Sequence, residues 1–231
     1  MIKAIKSLID KSEGLYVATS MGSDSVACLH WMLRKRYRLK AIHYNHKMRP
    51  QNDEMEKKFQ DFCNDFKVEG ICGFGSNLKT EQECRAARIN FFSQQAELKK
   101  VVTAHHLNDW VEGYILNCFR GKNEHDPIPL LSSFKNFEIV HPFLLTRKKD
   151  FEQYVDRNKL NHYIVEDETN TILKGSRRNW IRHKIIPEME KNQLSLEKFA
   201  KRKIGTLAQG LERKTHNLLV GGSIPSRPTR V

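Results

Sequence analysis

Five short stretches of this chain hold side chains whose types and spacing can do chemistry. The first, Ser20-Met21-Gly22-Ser23-Asp24-Ser25, lies between a β-branched run and an amphipathic segment. A turn of that kind aims free backbone N–H groups and a helix dipole at an anion. An ordinary helix cap would need only one of its serine or aspartate residues. The stretch lacks GxxxxGK[ST], so Walker-type γ-phosphate transfer is not indicated. The second, His43-Tyr44-Asn45-His46-Lys47-Met48-Arg49, follows an apolar run, where a strand exit carries either a polar rim or ligand contacts. In the third, Glu81 and Arg85 are four apart with Arg88 one turn beyond. That spacing suits a solvated ion pair worth ~0.3–0.5 kcal/mol, or cations turned toward a negative charge. In the fourth, Thr103 to Glu112, Asp109 and Glu112 share a helical face, suited to Mg²⁺ or an ammonium group. His105 and His106 beside them would fit zinc only with a third nitrogen or sulfur ligand, and none follows at standard spacing. The fifth, Arg178-Asn179-Trp180-Ile181-Arg182, is by itself a basic patch.

The elements that must position these groups alternate in type. Apolar runs at 14–20, 39–45, 68–74 and 100–104 each precede an amphipathic segment, at 24–36, 51–67, 80–99 and 107–119. In the second of these segments Met55, Phe59, Phe62 and Phe66 mark one apolar face. Four strand–helix units in a row predict an α/β fold, an open and mostly parallel sheet with helices on both faces. Residues 122–133, with two prolines and mixed charge, read as a loop of the kind that carries substrate contacts or a mobile cover. A last strand is expected over 137–145, helices over 147–159 and 177–191, the latter broken by Pro187, and a basic helix over 195–219. The expected division is a catalytic domain at 1–190, a basic helical extension at 191–220 and a tail at 221–231.

Composition narrows the class. No run approaches the ~18 apolar residues of a membrane span, and the first residues are too charged for a secretory signal, which predicts a cytoplasmic protein without a membrane partner. Five cysteines without a CxxC pair argue against a disulfide framework or a standard zinc or iron–sulfur site, and are expected to be reduced and mostly buried. The formal charge is +13, and residues 171–231 hold 14 basic against 4 acidic side chains. That asymmetry fits a polyanionic partner such as nucleic acid.

Taken in order, these landmarks resemble the PP-loop ATP pyrophosphatases, and within them the tRNA(Ile)-lysidine synthetases, over about residues 13–190. The first stretch is similar to the family's SGGxDS, with Met21 in place of the first glycine. The second resembles HxNHxxR, the third ExxxARxxR, and the fourth GHHxDDQxET, with Asn108 for the first aspartate. Phe119-Arg120-Gly121 matches the start of the substrate segment, and the glycines that usually follow are replaced by Lys122 to Pro127. Glu166-Asp167-Glu168-Thr169-Asn170 and Arg178-Asn179-Trp180-Ile181-Arg182 to Pro187 resemble EDxSN and RNxIRxxxxP. The larger bacterial members continue into further tRNA-binding domains, and the resemblance here is to a short form.

The resemblance implies ATP and Mg²⁺, and as partners L-lysine and an isoleucine tRNA with a CAU anticodon. It leaves the oligomeric state open, a dimer included. Its reaction joins lysine to C2 of the wobble cytidine through an adenylated intermediate. Carried over residue by residue, it makes Asp24, Arg88, Asp109 and Glu112 catalytic. It assigns Ser20, Met21, Gly22, Ser23, Asp24, Ser25, His43, Asn45, His46 and His105 to ATP, and Asp24 and Asp109 to Mg²⁺. Asp109, Glu112, Arg120, Arg178, Asn179 and Arg182 fall to lysine or tRNA. Two rival expectations stand beside it. A PP-loop tRNA thiolase is disfavoured by the missing CxxC pairs. A tRNA-binding protein with impaired catalysis is motivated by Met21, Asn108 and the altered loop.

Overall fold

The protein is described by a computed structural model over residues 1–122, 125–166 and 176–221, with the backbone alone for 214–221. Six strands form one sheet in the order β3-β2-β1-β4-β6-β5. They are β1 Leu15–Ala18, β2 Leu39–Asn45, β3 Gly70–Phe74, β4 Lys100–Val102, β5 Leu131–Ser133 and β6 Glu138–Val140. All pairings are parallel except β5 with β6. The helices are α1 Ser23–Arg34, α2 Pro50–Asp65, α3 Glu81–Ser93, α4 Leu107–Phe119, α5 Lys148–Arg157, α6 Arg177–Trp180, α7 Ile186–Lys191 and α8 Glu197–Gly221.

Strand alternation divides the core between the two faces of the sheet. Leu15, Val17, Ala41, Val102 and Val140 join a large cluster with α1, α2, α4 and α5. Their neighbours Tyr16, Ile42, Val101 and Ile139 point the other way, to Phe92 of α3. Within α2, Phe59 and Phe62 are fully buried, as the apolar face requires. Thr80 and Glu83 close a reciprocal cap at the start of α3. The chain runs outward from β1 to β2 and β3, then crosses back to place β4 on the other side of β1. The turns after β1 and β4 therefore meet at a topological switch point, where open α/β sheets bind ligands.

Several elements differ from the expectation. Residues expected in the 122–133 loop supply β5, a three-residue antiparallel edge strand. The strand expected over 137–145 stops at Val140, because Pro142 has no N–H for the ladder. Helix α3 ends at Ser93 rather than near Lys99. The helix around Pro187 is not broken at the proline. It widens into a π turn, Ile181–Ile185, just before it, which accommodates the missing N–H and the proline ring. Two cysteines are buried, Cys28 and Cys63; Cys72 and Cys84 are half-buried and Cys118 is exposed, so burial is less general than expected, and all five are free. The expected tail lies outside the described residues beyond Gly221. Among the described residues, no helix is long and apolar enough to cross a membrane.

The basic helix α8 is no loose appendage. Ala200, Ile204 and Ala208 recur at every fourth residue and enter the same core as Leu107, Trp110 and Val111. The ring of Phe199 lies 5.0 Å from that of Tyr114. Truncating the fully buried Ile204 to alanine is expected to lower stability by about 2–4 kcal/mol. Urea unfolding should show one transition moved to lower midpoint; an unchanged midpoint would mean α8 unfolds apart from the core.

Candidate active site

The turn between β1 and α1 is shaped by its own side chains. Ser25 accepts hydrogen bonds from the Thr19 hydroxyl at 3.1 Å and the Ser20 backbone N–H at 3.2 Å, and donates to the Gly22 carbonyl at 3.0 Å. No side chain caps the N-terminus of α1 at Gly22. The first intrahelical donor is Val26, to Gly22, so the N–H groups from Gly22 to Ser25 have no partner within the helix. Ser23 is half-buried in that first turn and Ser20 is exposed at its rim. Met21 has a φ of +58°, a left-handed conformation that glycine adopts freely. Its side chain is fully buried, and its carbonyl accepts from Val165 N–H at 2.9 Å. The core contact holds the strained turn in place.

One imidazole ties this turn to the fourth stretch. His106, 2% exposed, approaches Asp24 Oδ2 through Nε2 at 3.4 Å and Asp109 Oδ2 through Nδ1 at 3.3 Å. Asp109 N–H donates to Nδ1 at 3.2 Å, which leaves Nε2–H for Asp24 in the neutral ring. Burial works against charge on His106, and Asp24, Asp109 and Glu112 outweigh it, raising its pKa. Burial likewise opposes the charge on Asp109, and His106, His105 and Arg178 hold its pKa below the ordinary carboxylate range. Asp24 Oδ1 is buried without a hydrogen-bond partner.

Behind Asp109, Glu112 is clamped. Arg182 Nε meets its Oε1 at 2.7 Å, Arg182 Nη2 its Oε2 at 2.8 Å, and Arg178 Nε its Oε2 at 3.2 Å. The two arginines also stand 3.7 and 3.9 Å from Asp109 Oδ1. Residues four apart reach one carboxylate here because α6 and the π turn lie across α4. Asn179 between them is buried, its N–H on the Ser176 hydroxyl that caps α6. The expected pairing of Asp109 and Glu112 around one ligand is thus corrected. Both oxygens of Glu112 are occupied, and only Asp109 faces the turn.

The second stretch arrives at the same edge. His43 Nδ1–H donates to the Thr19 carbonyl at 2.8 Å, which leaves Nε2 as an acceptor, buried with no partner. Nδ1 of His46 is also buried and unpartnered. Burial, with Arg88 and His43 nearby, pushes His46 down to about 4. Asn45 is otherwise engaged. Its amide donates to Asp53 and Glu56 and accepts from Lys47 N–H, so it fixes the start of α2. Arg88 of α3 acts electrostatically on both His46 and His105, while Glu81 is exposed.

Two groups stand apart from the expectation. Arg120 caps the far end of α4, eleven residues from Asp109, roughly 16 Å at 1.5 Å per residue, and is not brought to the cluster. Asn108, in the aspartate position, accepts from Lys148 N–H at 2.9 Å and joins the starts of α4 and α5. Of the 166–170 stretch only Glu166 lies within the described residues. His141 was not anticipated. It follows β6 and is buried, and its Nδ1 lies 3.2 Å from Nδ1 of His105, with the Thr103 hydroxyl bonded to both rings. Burial, His105 and Arg85 push it down to about 3. A histidine just past a strand, ahead of a proline, was the available signal.

The sign of the His106 contribution follows from its raised pKa. That stability is full below about 6.5, the ordinary imidazole value, and is lost as pH rises through the folded value. Asp109, whose pKa is lowered, contributes above its ordinary 3.8 and loses that contribution as pH falls through its folded value. Urea unfolding of His106→Gln should lose the alkaline decline seen in the parent chain; identical pH profiles would remove His106 as its source. Glu112→Gln should cost roughly 2–3 kcal/mol by the same measurement. That is below the full cost of breaking a buried pair, since Arg178 is 44% exposed.

Comparisons with known proteins agree with this geometry. A family model described as a PP-loop domain matches residues 1–189. The tRNA(Ile)-lysidine synthase of Coxiella burnetii is 30% identical over 203 residues, 81% of this chain and 43% of that protein. That of Staphylococcus aureus (strain COL) is 30% identical over 206 residues, 82% of this chain and 47% of that protein. The chain spans less than half the length of these curated relatives. Among solved structures, the U34-tRNA thiolase NcsA from Methanococcus maripaludis superposes with a TM-score of 0.66 at 15% identity. It covers 90% of this chain and 73% of that one, a likeness of fold.

Proposed function

The chain belongs to the PP-loop domain family, and from that premise we propose that it is a tRNA(Ile)-lysidine synthetase, an AMP-forming ligase of the cytoplasm. It would join lysine to C2 of the wobble cytidine of a CAU-anticodon tRNA. The observation that carries the reading is the His106 bridge, which fastens an uncapped anion-binding turn to a carboxylate at one sheet edge. The curated relatives bearing that enzyme's name support it.

In the proposed reaction the cytidine O2 attacks the α-phosphate of ATP, and the bond to pyrophosphate breaks. Pyrophosphate is received by the N–H groups of Gly22 to Ser25 and the dipole of α1. Arg88 offsets negative charge developing at the α-phosphate. The buried acceptor on His43 and the rings of His46 and His105 line the nucleotide's side. Asp109 then orients the lysine ammonium, which sheds a proton, and its nitrogen attacks C2. The C2–O bond breaks and AMP departs. Glu112 acts as a positioning residue through Arg178 and Arg182, which with Asn179 meet the tRNA.

Mg²⁺ fits the donor set. Asp24 Oδ1 is buried and unpartnered, Asp109 stands across one histidine, and among the described residues no three acidic, histidine or cysteine side chains gather into a metal cage. An ion that keeps phosphate and water ligands needs no more than one or two carboxylates. Bound there, it would supply charge stabilisation to the phosphates. Exposed Lys198, Arg202 and Lys203 on α8 would grip the tRNA backbone without reading its sequence.

Incubation with ATP, lysine and a CAU tRNA transcript, followed by mass analysis of the nucleosides, should yield lysidine. Asp24→Asn and Ser25→Ala should each lower its formation about a hundredfold or more. ATP–pyrophosphate exchange without lysine incorporation would replace lysine by another nucleophile. Absence of exchange would leave a tRNA-binding protein.

A further inference from the structure

On the face of the sheet away from His43 and Asp24, a groove of about 550 Å³ opens between α3 and the edge strand β3. It is lined by Tyr44, Phe74, Ala87, Asn90, Phe91 and Gln94. Its floor is aromatic and fixed. A Cβ on Gly73 would come within 2.6 Å of the Phe91 ring, so glycine is what lets that ring lie against the strand. The Tyr44 hydroxyl donates to the Phe74 carbonyl at 3.2 Å and holds the backbone beneath the Phe74 ring. That ring is 56% exposed, a large apolar surface turned to solvent. The Lys47 ammonium, which also pairs with Asp53 and Glu56, lies 5.4 Å from its centroid.

The wall is polar in a particular way. Asn90 and Gln94 are exposed, one helical turn apart on the same face of α3, and their side-chain amides have no hydrogen-bond partner among the described residues. Primary amides offer a donor and an acceptor side by side, which matches the edge of a base. Arg85 and Arg88 lie on the same helix, and the whole chain carries +13. At the mouth, Tyr44 meets His46 edge to face at 4.9 Å, so the groove adjoins the candidate active site.

We propose that this groove takes one unpaired base of RNA, stacked on Phe74 and read on its polar edge by Asn90 and Gln94. Single-stranded RNA is recognised by such pairing of aromatic stacking with edge hydrogen bonds. The source of the base rests on the tRNA reading above: a base of the anticodon loop, held while its neighbour occupies the reacting position. Strand alternation puts Tyr44 opposite His43, so the buried acceptor at His43 and the groove lie on different faces of the sheet.

The test measures binding of a CAU anticodon stem-loop RNA, and separately of ATP, to the full chain. Phe74→Ala should weaken stem-loop binding about 5- to 100-fold, Phe74→Tyr should retain it, and Asn90→Ala with Gln94→Ala should weaken it further. ATP affinity should be unchanged in all of them, and so should binding of the same stem with abasic loop positions. Equal stem-loop affinity for Phe74→Ala, equal losses for Phe74→Ala and Phe74→Tyr, or no stem-loop binding by the parent chain would overturn the proposal. A parallel fall in ATP affinity would do so too, by giving the groove to adenine. Failure of pyrophosphate exchange while stem-loop binding still depends on Phe74 would remove the ligase reading and leave the groove.

Discussion

Two carboxylates and one imidazole at a buried sheet edge set the terms for the rest of the molecule. Asp24 and Asp109 come from different crossovers, and at close range in a poorly solvated place like charges repel. His106, between them, is both the hydrogen-bond link and the counter-charge. The cost of keeping these groups from water is offset only if each finds a partner, and the structure extends outward accordingly. Arg178 and Arg182 neutralise Glu112 and reach toward Asp109, which fixes where α6 and the π turn cross α4. One buried oxygen, Asp24 Oδ1, remains without a partner, and it faces the side where a phosphate-bearing ligand would arrive.

Met21 illustrates how local cost and core packing are balanced. A non-glycine residue in the left-handed region costs on the order of 1–2 kcal/mol. Burying a methionine side chain fully returns roughly 1.5–3 kcal/mol, so the turn keeps its shape and gains an anchor that glycine would not give. The same carbonyl receives Val165 N–H, which joins the anion-binding turn to the segment entering Glu166. Crowding by this side chain is directed into the core, away from the N–H groups that would face phosphate.

Much of this was legible in the sequence because it depends on local pattern. Apolar runs followed by amphipathic segments located five of the six strands and the helices that follow them, and the four-unit order implied the switch point. β5 escaped because three residues after two prolines carry no periodicity, and its pairing is set by the strand that follows. The occupation of Glu112 also escaped, since its partners lie 66 and 70 residues away and meet it only through the path of α6. Arg120 shows the reverse error. Motif order placed it with the substrate groups, whereas a straight thirteen-residue helix carries it to the opposite end. Asn45 and Asn108 look like ligand groups by position and prove to be fasteners between elements.

The clamp on Glu112 has a consequence for biosynthesis. During synthesis the sheet and α4 emerge well before residues 178–182, so a partial chain has a carboxylate destined for burial and no cation to accompany it. Until the guanidinium groups leave the ribosome, that carboxylate favours hydration or protonation, and the pocket edge stays open to solvent. Completion of the site is thereby timed to nearly the last folded segment, which keeps an unfinished chain from trapping nucleotide.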